Sequence, residues 1–342
     1  MTLGDGKLTE LALVTGACGF VGSHFIDELL RDPNYAVRGM DLPNADSSFL
    51  NRDAEFMTGD LRERQTLSRV VKGVDVIFHV ASLFRYSASW ADLYAVNVEG
   101  TRNLCQVAIA AGVSKFVLIS SAGVYGKPTS LPVSETDPTY PSNDYERSKV
   151  EQEQAALQVC SDSDLDLLIL RPAPIYGPRN RYGIGTILRM VALGQLPILT
   201  KSLNTLVPLV HVKDVVGAAL HLLSIPNAVG QIYNVVDDST YRKYELFSHL
   251  APLLKAKIYY TRLPLLPRWL LSSLASWAEW KARNLTHQEP KIECATIDLL
   301  FHDYQYSNSK LKATGYQFFY PDPLSGLEET IEWYKKYGWF QH

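Results

Sequence analysis

Cysteine is scarce in this chain, and what the sequence lacks narrows the field first. Only Cys18, Cys105, Cys160 and Cys294 occur in 342 residues, none of them in a C-x-x-C. Neither a disulfide framework nor a zinc site is indicated, no metal is expected, and a reducing, cytoplasmic setting fits that usage. Long runs of lysine and arginine are also missing. A formal net charge of -3 and a pI near 6.3 leave no electrostatic footprint for nucleic acid. Residues Met1 to Leu8 hold no apolar stretch of signal-peptide length, which argues against secretion. The most apolar segment, Leu263 to Trp280, is broken by Arg268, prolines and serines, and it falls short of the ~20 apolar residues a membrane span needs. Its Trp269, Leu270, Leu274, Trp277 and Trp280 nevertheless recur at roughly helical spacing. Two readings follow: a helix docked on its own core, which the frequency of such amphipathic helices favours, or an apolar lid in peripheral contact with a bilayer or substrate.

What is present is a hydrophobic content of 46% in a chain long enough for one large α/β domain and a smaller attached one. From Leu11 to Leu170, β-rich runs alternate with helical stretches: Leu11 to Thr15, Tyr35 to Asp41, Ala54 to Thr58, Val74 to Val80, Phe116 to Ser121 and Leu165 to Leu170. That is the rhythm of βαβ units. Val74 to Val80 and Phe116 to Ser120 are nearly all apolar rather than alternating, as expected when helices cover both faces of a parallel sheet. Segments Glu63 to Lys72 and Tyr94 to Ala111 supply crossover helices, and a doubly wound sheet follows. After Arg171-Pro172 the rhythm degrades, then resumes as helix Val212 to Leu223 and strand Gln231 to Val235. The division expected is a dinucleotide-binding domain over 1–175 with a return segment at about 206–236, and a substrate lobe from 176–205 and 237–342.

The first strand runs directly into Gly16-Ala-Cys-Gly19-Phe20-Val21-Gly22 and then a helix through Leu30. Gly16 can make the tight turn, Gly19 lets backbone amides approach a pyrophosphate, and Gly22 permits close packing of helix on strand. Asp41 ends the second strand, where a carboxylate can bond the adenosine ribose hydroxyls and repel a 2′-phosphate. Leu42 follows it in place of a basic residue, so NAD is preferred; Arg38 could fold back, which leaves NADP open. Asp60 and Leu61, after the third strand, could bracket the adenine.

Hydride transfer between an alcohol and nicotinamide needs a group that handles the hydroxyl proton. Nineteen tyrosines and 16 lysines make about one Tyr-x-x-x-Lys expected by chance, and two occur, Tyr145/Lys149 and Tyr306/Lys310. A tyrosine needs roughly 3 pKa units of help to act as a base near neutrality. Lys149, one turn along the same face, is expected to lower the Tyr145 pKa, and Asn143 with Glu146 forms a capping-box pattern that would add the helix N-terminus. Ser120 or Ser121, closing the fifth strand, could hold the substrate oxygen. His79 reads as a packed strand-end histidine.

Taken in order, Thr15-Gly-Ala-Cys-Gly-Phe-Val-Gly22, Phe78-His-Val-Ala-Ser82, Asn97-Val-Glu-Gly-Thr101, Ser120-Ser-Ala-Gly-Val-Tyr-Gly126, Tyr145-Glu-Arg-Ser-Lys149 and Arg171-Pro-Ala-Pro-Ile-Tyr-Gly177 resemble the extended short-chain dehydrogenase/reductase family. This family includes NAD-dependent epimerases and dehydratases and 3β-hydroxysteroid dehydrogenases. The likeness is strong over about 10–236 and weak in the tail. It implies a Rossmann-type doubly wound sheet with a smaller, mainly C-terminal lobe. It also implies a Ser121, Tyr145, Lys149 triad in which Lys149 touches the nicotinamide ribose, and a cofactor lined by Val80, Ala81 and Ser82. Asn97 would support the site, Pro172 and Ile175 would pack near the nicotinamide, and a homodimer would form through 94–111 and 143–159.

Departures from the sugar-nucleotide pattern bear on substrate. Pro174 replaces an asparagine that reaches the diphosphate, Val207 stands where an arginine precedes the F-I-H-V-x-D segment, and Phe301-His-Asp-Tyr304 replaces a basic R-P-G-D. Ala122-Gly123 after Ser121 lacks the dehydratase Asp-Glu pair. The expectation is an NAD-dependent oxidoreductase for an apolar, alicyclic or sterol-like alcohol or ketone. A nucleotide-sugar 4-epimerase is the first alternative, and a non-catalytic dinucleotide-binding regulatory protein the second.

Overall fold

The computed structural model describes residues 9–195, 198–200, 203–257, 259–261, 268–281 and 301–340. The chain opens with β1 (Glu10–Thr15), α1 (Phe20–Leu29), β2 (Tyr35–Asp41), β3 (Glu55–Thr58), α2 (Arg64–Val70) and β4 (Val76–His79). Next come α3 (Trp90–Leu93), a π-helical turn over Tyr94–Glu99, α4 (Gly100–Ala111), β5 (Lys115–Ile119), α5 (Asp144–Cys160) and β6 (Asp166–Pro172). Then follow β7 (Ile175–Tyr176), α6 (Ile184–Ala192), β8 (Ile198–Thr200), β9 (Val210–His211), α7 (Val212–Ser224), β10 (Ile232–Val235), α8 (Lys243–Leu250), β11 (Tyr259–Thr261) and α9 (Arg268–Lys281). Two further helices, Ser309–Ala313 and Pro323–Lys336, end the described chain.

Seven parallel strands form one sheet in the order β10-β6-β5-β4-β1-β2-β3. Side chains alternate across it. Ala12, Val14, Phe78, Val117 and Ile119 face Phe25, Ile26 and Leu29 of α1 and Val215, Ala219 and Leu222 of α7. Leu13, Ile77, Phe116 and Leu118 face Leu67 and Val70 of α2, Leu104 and Ala108 of α4, and Ala156 of α5. Because both faces are covered, alternation between faces leaves no solvent-facing position in the central strands, which explains runs that stay apolar until Thr15 and His79 at the carboxyl ends of β1 and β4. Strand order reverses between β1 and β4, and this opens a crevice at their carboxyl ends.

The expected elements form with small shifts. The fourth strand is shorter than Val74 to Val80 because Val74 closes a turn onto Val71 and Val80 leaves the ladder for the crevice loop. The Tyr94 to Ala111 helix begins with the π turn, for which the sequence carries no signal. A third core, away from the sheet, joins Ile184, Leu188 and Val191 of α6, Leu246, Phe247 and Leu250 of α8, and Leu327, Ile331 and Tyr334 of the last helix. Tyr304, Tyr306, Leu311 and Tyr316 instead pack in the sheet's first core. Tyr306 bridges Val133, and its helix starts only at Ser309, so Tyr306 and Lys310 do not share a helical face.

One expectation is corrected at α9. The helix forms and buries Ala275, but Trp269, Leu274, Trp277 and Trp280 point to solvent rather than into the core. Residues 263–267 of that apolar segment, and Cys294, lie outside the described residues. Among the described residues no helix is long and apolar enough to cross a membrane.

Candidate active site

At the crevice the glycine turn is sterically committed. Gly16 has φ +68°, and a Cβ there would stand 3.0 Å from the backbone of Ala81; a Cβ on Gly22 would lie 2.0 Å from the Gly16 carbonyl oxygen. Turn, β4 loop and α1 therefore close on one another backbone to backbone. Gly19 caps α1 without a side-chain hydrogen bond and the first turn, including Phe20 and Val21, carries no acid. The leading amides and the positive end of the helix are thus left for an anion. Asp41 reaches over the turn, its carboxylate accepting from Cys18 N at 2.9 Å and from Leu42 N at 2.8 Å. Burial, then Asp41, pushes the Cys18 thiol up to about 11. Arg38 does not fold back: it donates to Glu55 at 2.9 Å and to the carbonyls of Val70 and Lys72 at 2.7 and 2.8 Å. Its strand neighbours Glu55 and α2 hold it away from Asp41. Asp60 grips Arg62 at 2.5 Å, which keeps its carboxyl below the usual range, and Leu61 is buried against Gly100.

Beneath the crevice runs a polar chain of which the sequence motifs singled out only Asn97 as a support of the site. Thr15 Oγ1 accepts from Val80 N and Ala81 N at 3.2 and 3.1 Å, so its single proton goes to His79 Nδ1, 2.8 Å away. Thr101 Oγ1 donates to the Asn97 carbonyl at 2.6 Å, so it accepts from His79 Nε2 and from Gln152, each at 2.8 Å. His79 is thereby fixed as the neutral Nε2–H tautomer, and burial pulls its pKa down to about 3. Asn97, on the π turn, accepts from Leu83 N at 2.7 Å and Ser82 Oγ at 3.1 Å, and donates to Ser148 Oγ at 2.9 Å. The loop after β4 is stapled in this way to α5, the helix that carries Tyr145 and Lys149.

Tyr145 is buried, its ring edge-on to Phe84 and Tyr86 with centroids 5.0 and 5.5 Å away. Lys149 is buried one turn on and donates to the Ile119 carbonyl at 3.0 Å. The expected lowering of Tyr145 by Lys149 is not met here. Burial, then the charge of Glu146, pushes the Tyr145 phenol well above its ordinary value, while burial, opposed by Glu153, pulls Lys149 down to about 7. The ammonium is aimed at a β5 carbonyl, and desolvation dominates. The capping box is half formed: Asn143 Oδ1 accepts from Glu146 N at 2.9 Å, but Glu146 Oε2 turns to Ser142, taking its N–H at 2.7 Å and its hydroxyl at 2.8 Å. Ser142 offers that carboxylate two donors where Asn143 offers one.

The two serines separate cleanly. Ser120 Oγ is buried and donates to Glu153 at 2.5 Å, whereas Ser121 Oγ is partly open and accepts from Gly123 N at 3.0 Å. A Cβ on Gly123 would lie 3.1 Å from Ser121 Oγ and 3.4 Å from Glu146 Cγ, so Ser121 sits beside the first turn of α5. Glu153 also holds Arg171 at 2.6 and 3.0 Å, Arg171 donates to Tyr125 at 2.9 Å, and Tyr125 donates to Asn234 at 2.8 Å. Both members of the ion pair are nearly inaccessible. Removing one leaves the other charge buried alone, which costs about 3–5 kcal/mol. Glu153→Ala is therefore expected to destabilise the protein by that amount in denaturant unfolding, and Glu153→Ala with Arg171→Leu to recover part of it. Pro172 ends β6, and Ile175 begins β7 three residues later.

The NAD dependent epimerase/dehydratase family model matches residues 12–235. UDP-glucose 4-epimerase of Vibrio cholerae is 30% identical over 261 residues, 73% of this chain and 78% of that protein. The decarboxylating sterol-4-alpha-carboxylate 3-dehydrogenase of Mus musculus is 28% identical over 339 residues, covering 96% and 91%. Among solved structures, the UDP-glucose 4-epimerase of Thermotoga maritima superposes with a TM-score of 0.77 at 22% identity, over 96% of this chain and 99% of that one. The crevice at the strand reversal, the glycine turn that leaves no room for a Cβ at Gly16 or Gly22 and the match through the sheet agree: the chain is an enzyme of the NAD-dependent epimerase/dehydratase family, within the extended short-chain dehydrogenase/reductases.

Proposed function

We propose that the protein is an oxidoreductase that moves a hydride between nicotinamide and a secondary alcohol or ketone of an apolar, alicyclic or sterol-like substrate. The observation that carries this reading is the wall over Tyr145. Phe84 and Tyr182, both exposed, stand 6.2 Å apart between centroids, and Phe84 packs directly on the Tyr145 ring. Such a wall covers an apolar ring system, and the two rings bring no cation to a diphosphate, only the phenol of Tyr182. Val207 adds to it only by its identity, a valine where the sugar-nucleotide pattern has an arginine, since the cleft it lines with Pro208, Tyr304 and Tyr306 also carries Asp237, Asp238 and Asn308.

NAD, when bound, accepts or gives the hydride and, oxidised, brings a positive charge. The amides at the start of α1 would take its pyrophosphate, Asp41 its adenosine ribose, and Val80 to Ser82 its inner face. Tyr145 then takes or returns the carbinol proton, and Ser121 donates to the substrate oxygen. The phenol rests protonated, ready to act as acid in ketone reduction; as a base it needs the positive charges of cofactor and Lys149 together. The apolar core around α6, α8 and the last helix serves as the substrate lobe.

A second reading, a nucleotide-sugar 4-epimerase, draws on Arg242, which caps α8, pairs with Asp303 at 3.3 Å and forms an isolated antiparallel bridge with Leu206, beside Val207. Released from Asp303, it could meet a phosphate. A substrate panel separates the two. The oxidoreductase reading expects kcat/KM for apolar secondary alcohols to exceed that for UDP-glucose by about 100-fold or more; the reverse ranking rejects it.

Lys149 supplies a pH signature. An unfolded lysine holds its proton to about 10.4, the folded one only to about 7. Between those values the unfolded chain binds more protons, so stability rises with pH, and below about 7 the cost of the buried ammonium is fully present. Unfolding free energy of wild type minus Lys149→Met should climb by a few kcal/mol, on the order of 1.4 per pH unit, from pH 7 to 9.5. A flat difference contradicts the buried placement of the amine.

A further inference from the structure

The outward face of α9 is unusual for a helix on a water-facing surface. Trp269, Trp277 and Trp280 are 68%, 58% and 54% exposed, half of the six tryptophans in the chain, and Leu274 is exposed beside them. At positions i, i+8 and i+11 the three indoles fall along one side of the helix, while Ala275, on the opposite side, is fully buried. The exposed indole and leucine surface is on the order of 400 Å², as large as the biggest apolar patch of an ordinary monomer. A protein-facing hot spot gathers aromatics into a pocket, but this face is convex and made of the residue type that best suits the boundary between water and hydrocarbon. Charge adds to it. Arg268 opens the helix and Lys281 closes it, with its ammonium 5.3 Å from the Trp277 ring centroid. From Arg268 to Arg283 the sequence holds three basic residues against the single acid Glu279, in a chain whose net charge is -3. A local cationic end on an anionic protein matches a surface of opposite sign.

We infer that α9 is a peripheral membrane-docking element. Its tryptophans enter the headgroup boundary of an anionic phospholipid bilayer, and Arg268 and Lys281 meet the lipid phosphates and carboxylates. The helix of 14 residues lies in the plane of the interface rather than across it. The inference does not rest on the catalytic reading, because the contact is made whether or not a substrate turns over.

The test uses the full chain and vesicles of phosphatidylcholine with about 30% phosphatidylserine, compared with pure phosphatidylcholine, in flotation at low and at high salt. Wild type should float with the anionic vesicles, at least about tenfold more than with neutral ones, and its tryptophan emission should shift to the blue. Trp269→Ser, Trp277→Ser and Trp280→Ser combined should abolish flotation. Arg268→Glu with Lys281→Glu should remove the preference for anionic lipid. The three tryptophans and Lys281 are exposed and Arg268 is the first residue of the helix, and circular dichroism checks that each variant is folded. Absence of wild-type flotation, or equal flotation of the triple tryptophan variant, overturns the inference. So does a wild-type dimer that the tryptophan variant splits without any vesicle binding, which would make α9 a subunit interface.

Discussion

Tyr145→Phe should lower kcat by about 10³-fold, within the range that a positioned acid or base supplies. The substitution removes one oxygen and keeps the ring between Phe84 and Tyr86. Because the ring and its aromatic contacts are kept, loss of the hydroxyl should leave stability within about 1 kcal/mol of wild type. NAD affinity, set by the glycine turn and Asp41, should change by less than about threefold. Steady-state kinetics with a cofactor titration by fluorescence reads all three. Tyr306→Phe, at the other Tyr-x-x-x-Lys, should leave kcat within a few fold, since Tyr306 packs against Tyr125 in the core and Lys310 donates to the Ile232 carbonyl at 2.8 Å. A Tyr145→Phe enzyme retaining more than about a tenth of its activity would remove the proton-transfer role.

The glycine turn carries the second large effect, and two of its residues should behave differently. A methyl on Gly22 would meet the Gly16 oxygen at 2.0 Å, the Gly16 carbonyl carbon at 2.7 Å and Ala17 Cα at 3.1 Å. All are backbone, so nothing can rotate aside and α1 must move off the turn. Gly22→Ala should cost about 1–3 kcal/mol of stability by overpacking, and weaken NAD by about 100-fold or more as the amides lose their aim. A methyl on Gly19 meets only one atom, the Gly16 oxygen at 3.2 Å. Gly19→Ala should therefore weaken NAD while leaving the melting temperature nearly unchanged. Equal losses of stability in both variants would show that the turn is not packed as described.

How much of the molecule is legible in its sequence depends on the reach of each signal. The strands from β1 to β6 are legible because each is a short apolar run set off by turns, and the doubly wound architecture follows from right-handed crossovers. Gly16, Gly22, Asp41, Tyr145 and Lys149 are legible because spacing along one strand-turn-helix or one helical face fixes their company. The buried network is not. Glu153 and Arg171 are 18 residues apart, and Thr15, His79 and Thr101 span three elements, so no local period links them. One signal does exist: Tyr145, Ser148, Lys149, Gln152 and Glu153 recur at i, i+3, i+4, i+7 and i+8, and all are buried. They form a polar stripe where a core helix would show leucines. The stripe is visible in the sequence, but its burial is not, because a solvated face has the same spacing. The direction of the Lys149 ammonium and the outward turn of the α9 tryptophans depend on tertiary packing, which no local pattern encodes.

The central claim is that hydride leaves the carbinol carbon of an apolar substrate and departs with the cofactor. Mixing the protein with excess NAD and a sterol-like secondary alcohol deuterated at that carbon tests it directly. Deuterium should appear at C4 of the free nicotinamide, with reduced cofactor accumulating through many turnovers per chain. The claim is contradicted if apolar alcohols give no reduced cofactor while UDP-glucose is converted to its 4-epimer with none released.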